Sequence, residues 1–411
     1  MVGPPTDRLA ERSTTITVLP ARTAPITPRI KPVEIVARLV CVVTMRRLAI
    51  ALSACLGACG DNRAGFPEPD SDGGPFQTAP HAPLPVVFPH HGVVLSSMQL
   101  VTVTYADYAR AADAVEFSDA LVGSGWYRAI GAEYRTLTAS HVQHFTLGDA
   151  PAALSRGQIT AMFTDLVAHD PSVTKPTETG NQVLYLLYVP PSVERGTGLV
   201  GIRGYHEVVT VDRVKFPIAV VLDDGDLAAT TKRAGHQVIN AATNPYKDGY
   251  YADPPQTDPL RLLRGEIADL CEGEDAVVEA GFAFPRVYSN AAAIAGLPPC
   301  WPLQPGDSWS DVTAEPSQIQ TVLRGGTVKF TLTGWSTSPL PDWKIRVDVA
   351  EFSNLSADEM LPTLTADTIN NNHQVTLSLR VPFEAASGAT GGVQVLSGEN
   401  ERPWAVGFKV K

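Results

Sequence analysis

The run Val183-Leu184-Tyr185-Leu186-Leu187-Tyr188-Val189 sets the tightest limit on what this chain can fold into. Seven consecutive apolar residues have the length of one strand and show no polar alternation. A strand of this kind is covered on both faces, so it belongs in the middle of a sheet with helices packed against it. The flanking sequence supplies the rest of such a layer. Residues 100–105 and 142–147 read as strands. Residues 111–122 have helical spacing, with Val115, Ala120 and Leu121 as core positions, and Trp126, Tyr127 and Ile130 extend the element toward Tyr134. Residues 155–168 read as an amphipathic helix that Ser155 can cap, with Ile159, Met162, Phe163 and Leu166 on one face. Strands at 204–211 and 216–222 precede a helix at 226–243. The order β-α-β-α-β-β-β-α predicts a mixed α/β domain.

After Cys300 the pattern changes. Residues 326–332, 344–349, 374–381, 392–396 and 405–410 alternate apolar with polar, and Pro, Gly and Asn clusters separate them. Short strands without a helix predict an antiparallel sandwich, here an immunoglobulin-like module without an internal disulfide. A length of 411 residues suits two domains plus tails. Apolar residues make up 44%, enough for two cores, and the net charge of −11 argues against a nucleic-acid partner, which would need a basic face.

The chain's first part carries an address. Met45-Arg46-Arg47 is followed by an apolar run and then by Cys59-Gly60-Asp61, the layout of a signal peptide with a basic flank and a short apolar core. Leu56-Gly57-Ala58-Cys59 resembles the bacterial lipobox, which implies cleavage before Cys59 and a lipid on its thiol. Leu52-Ser53-Ala54-Cys55 fits the same pattern with a shorter apolar core, so Cys59 is preferred; a short buried helix is the bland alternative. The expected organisation is 1–44 as a start called too early or an extended, disordered basic region, 45–59 as the lipoprotein signal, 60–92 as a flexible tether, 93–302 as the α/β domain and 303–411 as the sandwich. Export and a lipid anchor make the membrane a partner, and Gly60 after the cysteine favours the outer membrane.

Cys271 and Cys300 are the cysteines left to the mature chain. An even pair in an exported protein predicts one disulfide, with two reduced thiols as the alternative. The loop it closes, about 30 residues, makes it worth ~3 kcal/mol in the chain-entropy model.

The chemistry-bearing motif is His236-Gln237-Val238-Ile239-Asn240, followed by Thr243-Asn244-Pro245. In an H-E-x-x-H helix, ligands at i and i+4 share one face and the Glu at i+1 activates water. Gln237 cannot take a proton, and Asn240 is a poor zinc ligand. Downstream come Gly265-Glu266-Ile267-Ala268-Asp269-Leu270-Cys271, then Ser289-Asn290, then Cys300. This succession resembles the Exordium-like (phosphate-induced) proteins and similar exported bacterial proteins, which carry H-E-L-A-E, T-N-P or T-D-P, E-I-x-D-x-C and a W-S-N or W-N-P segment before a last Cys. Gly204-Tyr205-His206 resembles the G-[FWY]-H segment that precedes the helix in that family. The resemblance spans roughly residues 95–300 and implies a metallopeptidase-like, zincin-like α/β domain.

Within that resemblance, Gln237 and Asn240 replace the two glutamates, keeping size and removing charge. His236, Asn240, Glu266 and Asp269 become a vestigial metal set, with zinc the implied ion and no catalytic residue assigned. The bland readings are that His236 packs or faces solvent, that Glu266 and Asp269 only tie a disulfide-held loop, and that His206 is a satisfied core histidine. His90 and His91 fall at the tether's end, away from any metal role. Three functions follow: a surface protein binding a peptide or glycan in the old cleft, an active metal-dependent hydrolase using His236 with Glu266 or Asp269, or a purely structural spacer.

Overall fold

A computed structural model describes residues 75–254 and 264–411 of the chain. The expectations for residues 1–59, including Cys55 and Cys59, lie outside the described residues, as does the first part of the expected tether. The described residues belong to one compact unit.

The first part of this unit is a five-stranded mixed sheet with helices. Its elements are β1 (Ser97–Tyr105), α1 (Ala111–Gly123), α2 (Gly125–Tyr134), β2 (Thr138–Leu147), α3 (Arg156–His169), β3 (Val183–Val189), β4 (Gly204–Val211), β5 (Val214–Leu222) and α4 (Leu227–Thr243). The sheet order is β2-β1-β3-β5-β4. The first four strands of that order run parallel, and β4 closes the edge antiparallel to β5. Every residue of β3 is buried, as its unbroken apolar run requires.

The helices are built as their sequences dictate. Ser155 caps α3 and Gln158 reaches back to it in a capping box. Phe163 of α3 lies against Tyr185 on one face of the sheet. On the other face, Ser118 of α1 bonds Thr102 at 2.6 Å. That buried polar pair corrects the expected face of α1: Ala114, Phe117, Ser118 and Leu121 are buried, while Val115 and Ala120 are half-buried. Asp226 caps α4. Gly235 lets α4 approach Pro285, because a Cβ there would stand 2.7 Å from the proline Cδ.

The second part is a pair of packed sheets. Its main strands are β6 (Ser310–Glu315), β7 (Thr327–Ser336), β8 (Trp343–Val349), β9 (Gln374–Arg380), β10 (Thr390–Ser397) and β11 (Arg402–Val410). One sheet is β6-β7-β9 with the short strand Thr363–Leu364. The other runs Gln320–Val322, β11, β10, β8 and Thr368–Ile369. Phe330, Leu332, Leu377, Val393, Val395 and Phe408 fill the space between them.

Two features join the parts. Trp309 and Trp335 leave the sandwich core and are buried with the α/β core. Residues 75–92 form a strap, which corrects the flexible tether expected over 60–92 for its described portion. His81 stacks on Trp335 at 3.7 Å, and Ala79 N–H donates to Asn371 of the sandwich. Farther along, Tyr288 donates to Pro85 O, Asn290 exchanges two hydrogen bonds with Val87, and Phe88–Pro89 pairs with Tyr250–Tyr251. His90 stacks on Tyr251, also at 3.7 Å.

Candidate functional site

The site assembles where α4 meets the segment 265–271. Helix α4 starts shortly after β5 and lies against edge strand β4, where a Cβ on Gly204 would stand 3.2 Å from Gln237 Cγ. His236, Gln237 and Asn240 project from that stretch of the helix, while Ala234, Gly235, Val238 and Ile239 turn into the core. A short 3-10 helix, Asp269–Cys271, brings Asp269 to the same place. The Cys271–Cys300 disulfide, with Cα atoms 5.7 Å apart, ties this 3-10 helix to the strand Cys300–Trp301.

Asn240 is the centre of the arrangement and is buried. Its Oδ1 accepts from Ala268 N–H at 3.0 Å, which fixes the amide's orientation. Its Nδ2 therefore faces Asp269 Oδ1 at 2.8 Å and His236 Nε2 at 3.2 Å. His236 Nε2 also meets Asp269 Oδ1, at 2.8 Å. Asp269 Oδ2 accepts from Glu266 N–H at 2.9 Å. Burial pushes the Asp269 carboxyl up, but the hydrogen bond and charge of His236, with the donors at Glu266 and Asn240, outweigh it and hold the group below the usual carboxylate range.

The side chain of Glu266 goes elsewhere. Its Oε1 is bound by Asn244 Nδ2, lies 3.2 Å from His206 Nε2 and 3.4 Å from Lys247 Nζ. Asn244 also accepts from Gly249 N–H, and Lys247 reaches His206 Nε2 at 2.7 Å. His206 is 5% exposed. This second cluster locks the Asn244–Gly249 turn, in which Lys247 takes a φ of 68°, against β4. The structure thus unites His236, Asn240 and Asp269 and assigns Glu266 to a clamp with His206, Lys247 and Asn244. Gln237 is half-buried, its Cγ close to Gly204 of β4, and its amide has no hydrogen bond among the described residues.

The residues at the site do not fit zinc. A zinc site of this helix type needs the imidazole nitrogen and a second donor at i+4 with free lone pairs. Here Nε2 of His236 is turned onto Asp269, and the i+4 amide presents its NH2 group, because Ala268 N–H has taken its oxygen. Among the described residues, no three His, Cys, Asp or Glu side chains converge in a way that could hold a metal ion. The site is a compact polar set in which Asp269 Oδ1 is the acceptor that Asn240 Nδ2 and His236 Nε2 both approach. Gln237 offers no base for water.

Two further groups escaped the sequence reading. Asp223, at the carboxyl end of β5, is 2% exposed and holds Tyr108, Arg110, Thr230 and Gly225 N–H, pinning the start of α4. The Asp223-Asp224-Gly225-Asp226 cluster is the signal that marks it as a strand-to-helix turn. The other is the sandwich's contribution beside the site. Trp309, Asn400, Arg402 and Pro403 line a cavity of about 250 Å³ together with Arg264 and residues 269–274. Arg402 stacks over Trp309 at 3.7 Å and bonds Glu274 at 2.6 Å. No periodicity announces these, because the contacts join distant parts of the chain, Arg402 and Glu274 being 128 residues apart.

No protein-family model matches the chain, and no curated protein does. Among solved structures, a chimeric titin Z1Z2 carrying an exogenous decorin peptide is 11% identical, with 25% of this chain and 97% of that one covered and a TM-score of 0.18. Titin M4 is 12% identical over 25% of this chain and 93% of its own, with a TM-score of 0.15. Likenesses this distant carry no argument; the sheets themselves make the chain a mixed-sheet α/β domain followed by sandwich-like sheets.

Proposed function

We propose that this chain is an outer-envelope lipoprotein with a zincin-like, metallopeptidase-like domain that has lost its hydrolytic chemistry, and that it works by binding. The observation that carries the reading is the orientation of Asn240. Its amide, fixed by Ala268 N–H, donates to Asp269 and so occupies the place where a second ligand would present lone pairs. Helix α4 follows the last strand of the sheet and runs beside its antiparallel edge, which supports the zincin-like layout; the two packed sheets support an immunoglobulin-like second domain. The ligand is a peptide or a glycan held at the cleft beside α4, and Cys59 carries the lipid. Among the described residues no helix is long and apolar enough to cross a membrane.

Metal analysis of the protein purified without chelator, with a casein assay, tests the loss of chemistry. Sub-stoichiometric zinc and no cleavage are expected. The Gln237→Glu/Asn240→Glu variant should bind zinc more tightly than the wild type. Stoichiometric zinc with chelator-sensitive cleavage by the wild type overturns the reading. Labelling with a radioactive fatty acid tests the anchor, and undiminished label in Cys59→Ser refutes that site.

A further inference from the structure

We propose that the join between the α/β part and the sandwich is a proton-operated latch: Arg402 holds Glu274 across the join while the buried Asp311 carboxyl keeps its proton, and turns to Asp311 when that proton leaves. The latch goes beyond the proposed function and does not depend on it. Strand register places Asp311 at the join. Alternate residues of a strand share a face, and so do residues paired across two strands. Asp311 therefore shares its face of β6 with Trp309, two residues back, and with Trp335, its partner on β7. Both tryptophans are buried with the α/β core, whereas Val312 and Ala314 turn into the sandwich core. Asp311 is 0% exposed. Its Oδ1 accepts from Val312 N–H at 2.8 Å, and its Oδ2 has no hydrogen-bond partner.

Arg402, at the start of β11, is the charge that acts on this carboxyl. It is itself buried, and its Nη1 donates at 2.9 Å to Ser310 O, the carbonyl that leads into Asp311. Its Nη2 reaches across the join to Glu274 Oε1 at 2.6 Å, and its guanidinium stacks over Trp309. Asn400 Nδ2 donates to the same Glu274 oxygen at 2.8 Å. The other charges are spent or distant. On β7 the charged residue is Lys329, exposed at the far end of the strand, and β10 carries none. The strap's His81 stacks on Trp335, and Arg286 is paired with Asp307. On the α/β side Lys232 donates to the Glu274 carbonyl, and Arg264, Asp269 and Glu272 line the cavity beside Arg402.

Burial pushes the Asp311 carboxyl up to about 7, against the lowering by the Val312 N–H and the Arg402 charge. Protonated, it does not compete with Glu274, and Arg402 stays on the bridge. Ionised, it is a buried charge with a free oxygen, which is costly unless a cation pairs with it. Attraction between charges strengthens as water is excluded, so Asp311 outcompetes the more accessible Glu274 for the one guanidinium. The bridge between the two parts therefore opens as the pH rises through about 7. Arg402, Asn400 and Glu274 also line the cavity of about 250 Å³, so the latch sets the form of that cleft.

The test is a titration of the 15N- and 13C-labelled full chain from about pH 5 to about pH 9. It follows the Arg402 Nε–Hε resonance, assigned through the residue's own backbone amide. That resonance and the backbone amides of Gly273, Glu274 and Asn400 should shift together, with one midpoint near 7. Asp311→Asn has the shape of the protonated residue and should hold the low-pH spectrum across the whole range. Glu274→Gln removes the competing charge and should lower the midpoint by about one pH unit, the low end of what an opposite charge does to a carboxylate. An Arg402 resonance indifferent to pH overturns the latch. So does a transition that survives Asp311→Asn, a midpoint unmoved in Glu274→Gln, or a shift of Arg402 without one at Gly273 and Glu274. The wild-type titration and Glu274→Gln decide the matter even where Asp311→Asn does not fold. None of these results touches zinc content or casein cleavage, so the latch can fail while the lost-chemistry reading stands.

Discussion

Replacing Asn240 by aspartate isolates the charge at the centre of the site. The two side chains have the same shape, and Oδ1 of the new residue can still accept from Ala268 N–H. What changes is the contact with Asp269 Oδ1, now two oxygens where an N–H donated across 2.8 Å. If both carboxylates stayed ionised at that 2.8 Å separation, the repulsion would be about 6 kcal/mol at an effective dielectric constant of about 20. Keeping the residue-240 carboxyl protonated avoids this. At pH 7 that costs about 4 kcal/mol, since an ordinary Asp titrates about three units lower and each unit is about 1.4 kcal/mol. The protonated route is the cheaper one, and it preserves the donated hydrogen bond. The expected loss is therefore up to about 4 kcal/mol at pH 7.

The sign of the pH dependence follows. The folded-state pKa of the new carboxyl is raised above its unfolded value, so its penalty is absent below about pH 4 and grows as the pH rises. Urea denaturation followed by tryptophan fluorescence from pH 5 to pH 8 measures this against the wild type. The two proteins should converge at the acid end and separate toward pH 8. Equal midpoints at every pH would refute the geometry, because residue 240 could then not be facing Asp269.

Cys271→Ser/Cys300→Ser opens a link with a sequence separation of 29 and should cost about 3–4 kcal/mol by loop entropy, read as a lower denaturation midpoint without reductant. Gly235→Ala gains about 1 kcal/mol of helix propensity but drives a methyl against the Pro285 ring, which at about 1–3 kcal/mol should win and leave α4 less stable by thermal melting. Burial without a partner for Oδ2 raises Asp311 to about 7. Its folded pKa exceeds the unfolded one, so stability should decline as pH rises from about 4 to 7, and Asp311→Asn should flatten that slope in urea titrations. Gln237→Glu alone should change stability by less than about 0.5 kcal/mol, because that side chain is half-buried with no hydrogen bond among the described residues to lose.

The α/β layer was legible wherever one face of an element meets one kind of neighbour. Residues 183–189 and 204–211 read as strands and are strands, and Ser155 read as a cap and caps α3. Legibility ended at buried polar groups. Ser118 and Thr102 satisfy each other inside the core, so the true buried face of α1 carries a serine where a pattern of apolar residues was sought. Strand β6 went unread because Ser310 and Asp311 are buried polar residues that interrupt its alternation. The strap at 75–92 looked like a spacer because Pro and His dominate it, and what orders it lies far off: Phe88 pairs with Tyr251 and Ala79 with Asn371. At the site, the order of Glu266 and Asp269 along the chain gave no sign that they part. One backbone bond, Glu266 N–H to Asp269 Oδ2, holds the two in a turn that sends their side chains to different clusters.

Gln237 and Asn240, the two helix positions on which the proposed reading turns, are not equivalent in this fold. At position 240 a second negative charge would stand against Asp269 Oδ1, where the neutral amide of Asn240 instead donates a hydrogen bond across 2.8 Å. Asn240 also satisfies Ala268 N–H, which would otherwise be buried and unpaired at about 1–3 kcal/mol. At position 237 nothing comparable is at stake: Gln237 lies beside Gly204, and its amide is not called on. Asn240 therefore comes with its own stabilising network, whereas Gln237 has no such network among the described residues. Gln237→Glu alone would add a carboxylate beside Gly204 and leave the Asn240–Asp269 contact as it is. Restoring 240 alone would add a ligand at a cost that only a bound cation can offset. Activity recovered in either single variant would mean that the Asn240–Asp269 contact is not what closed the site.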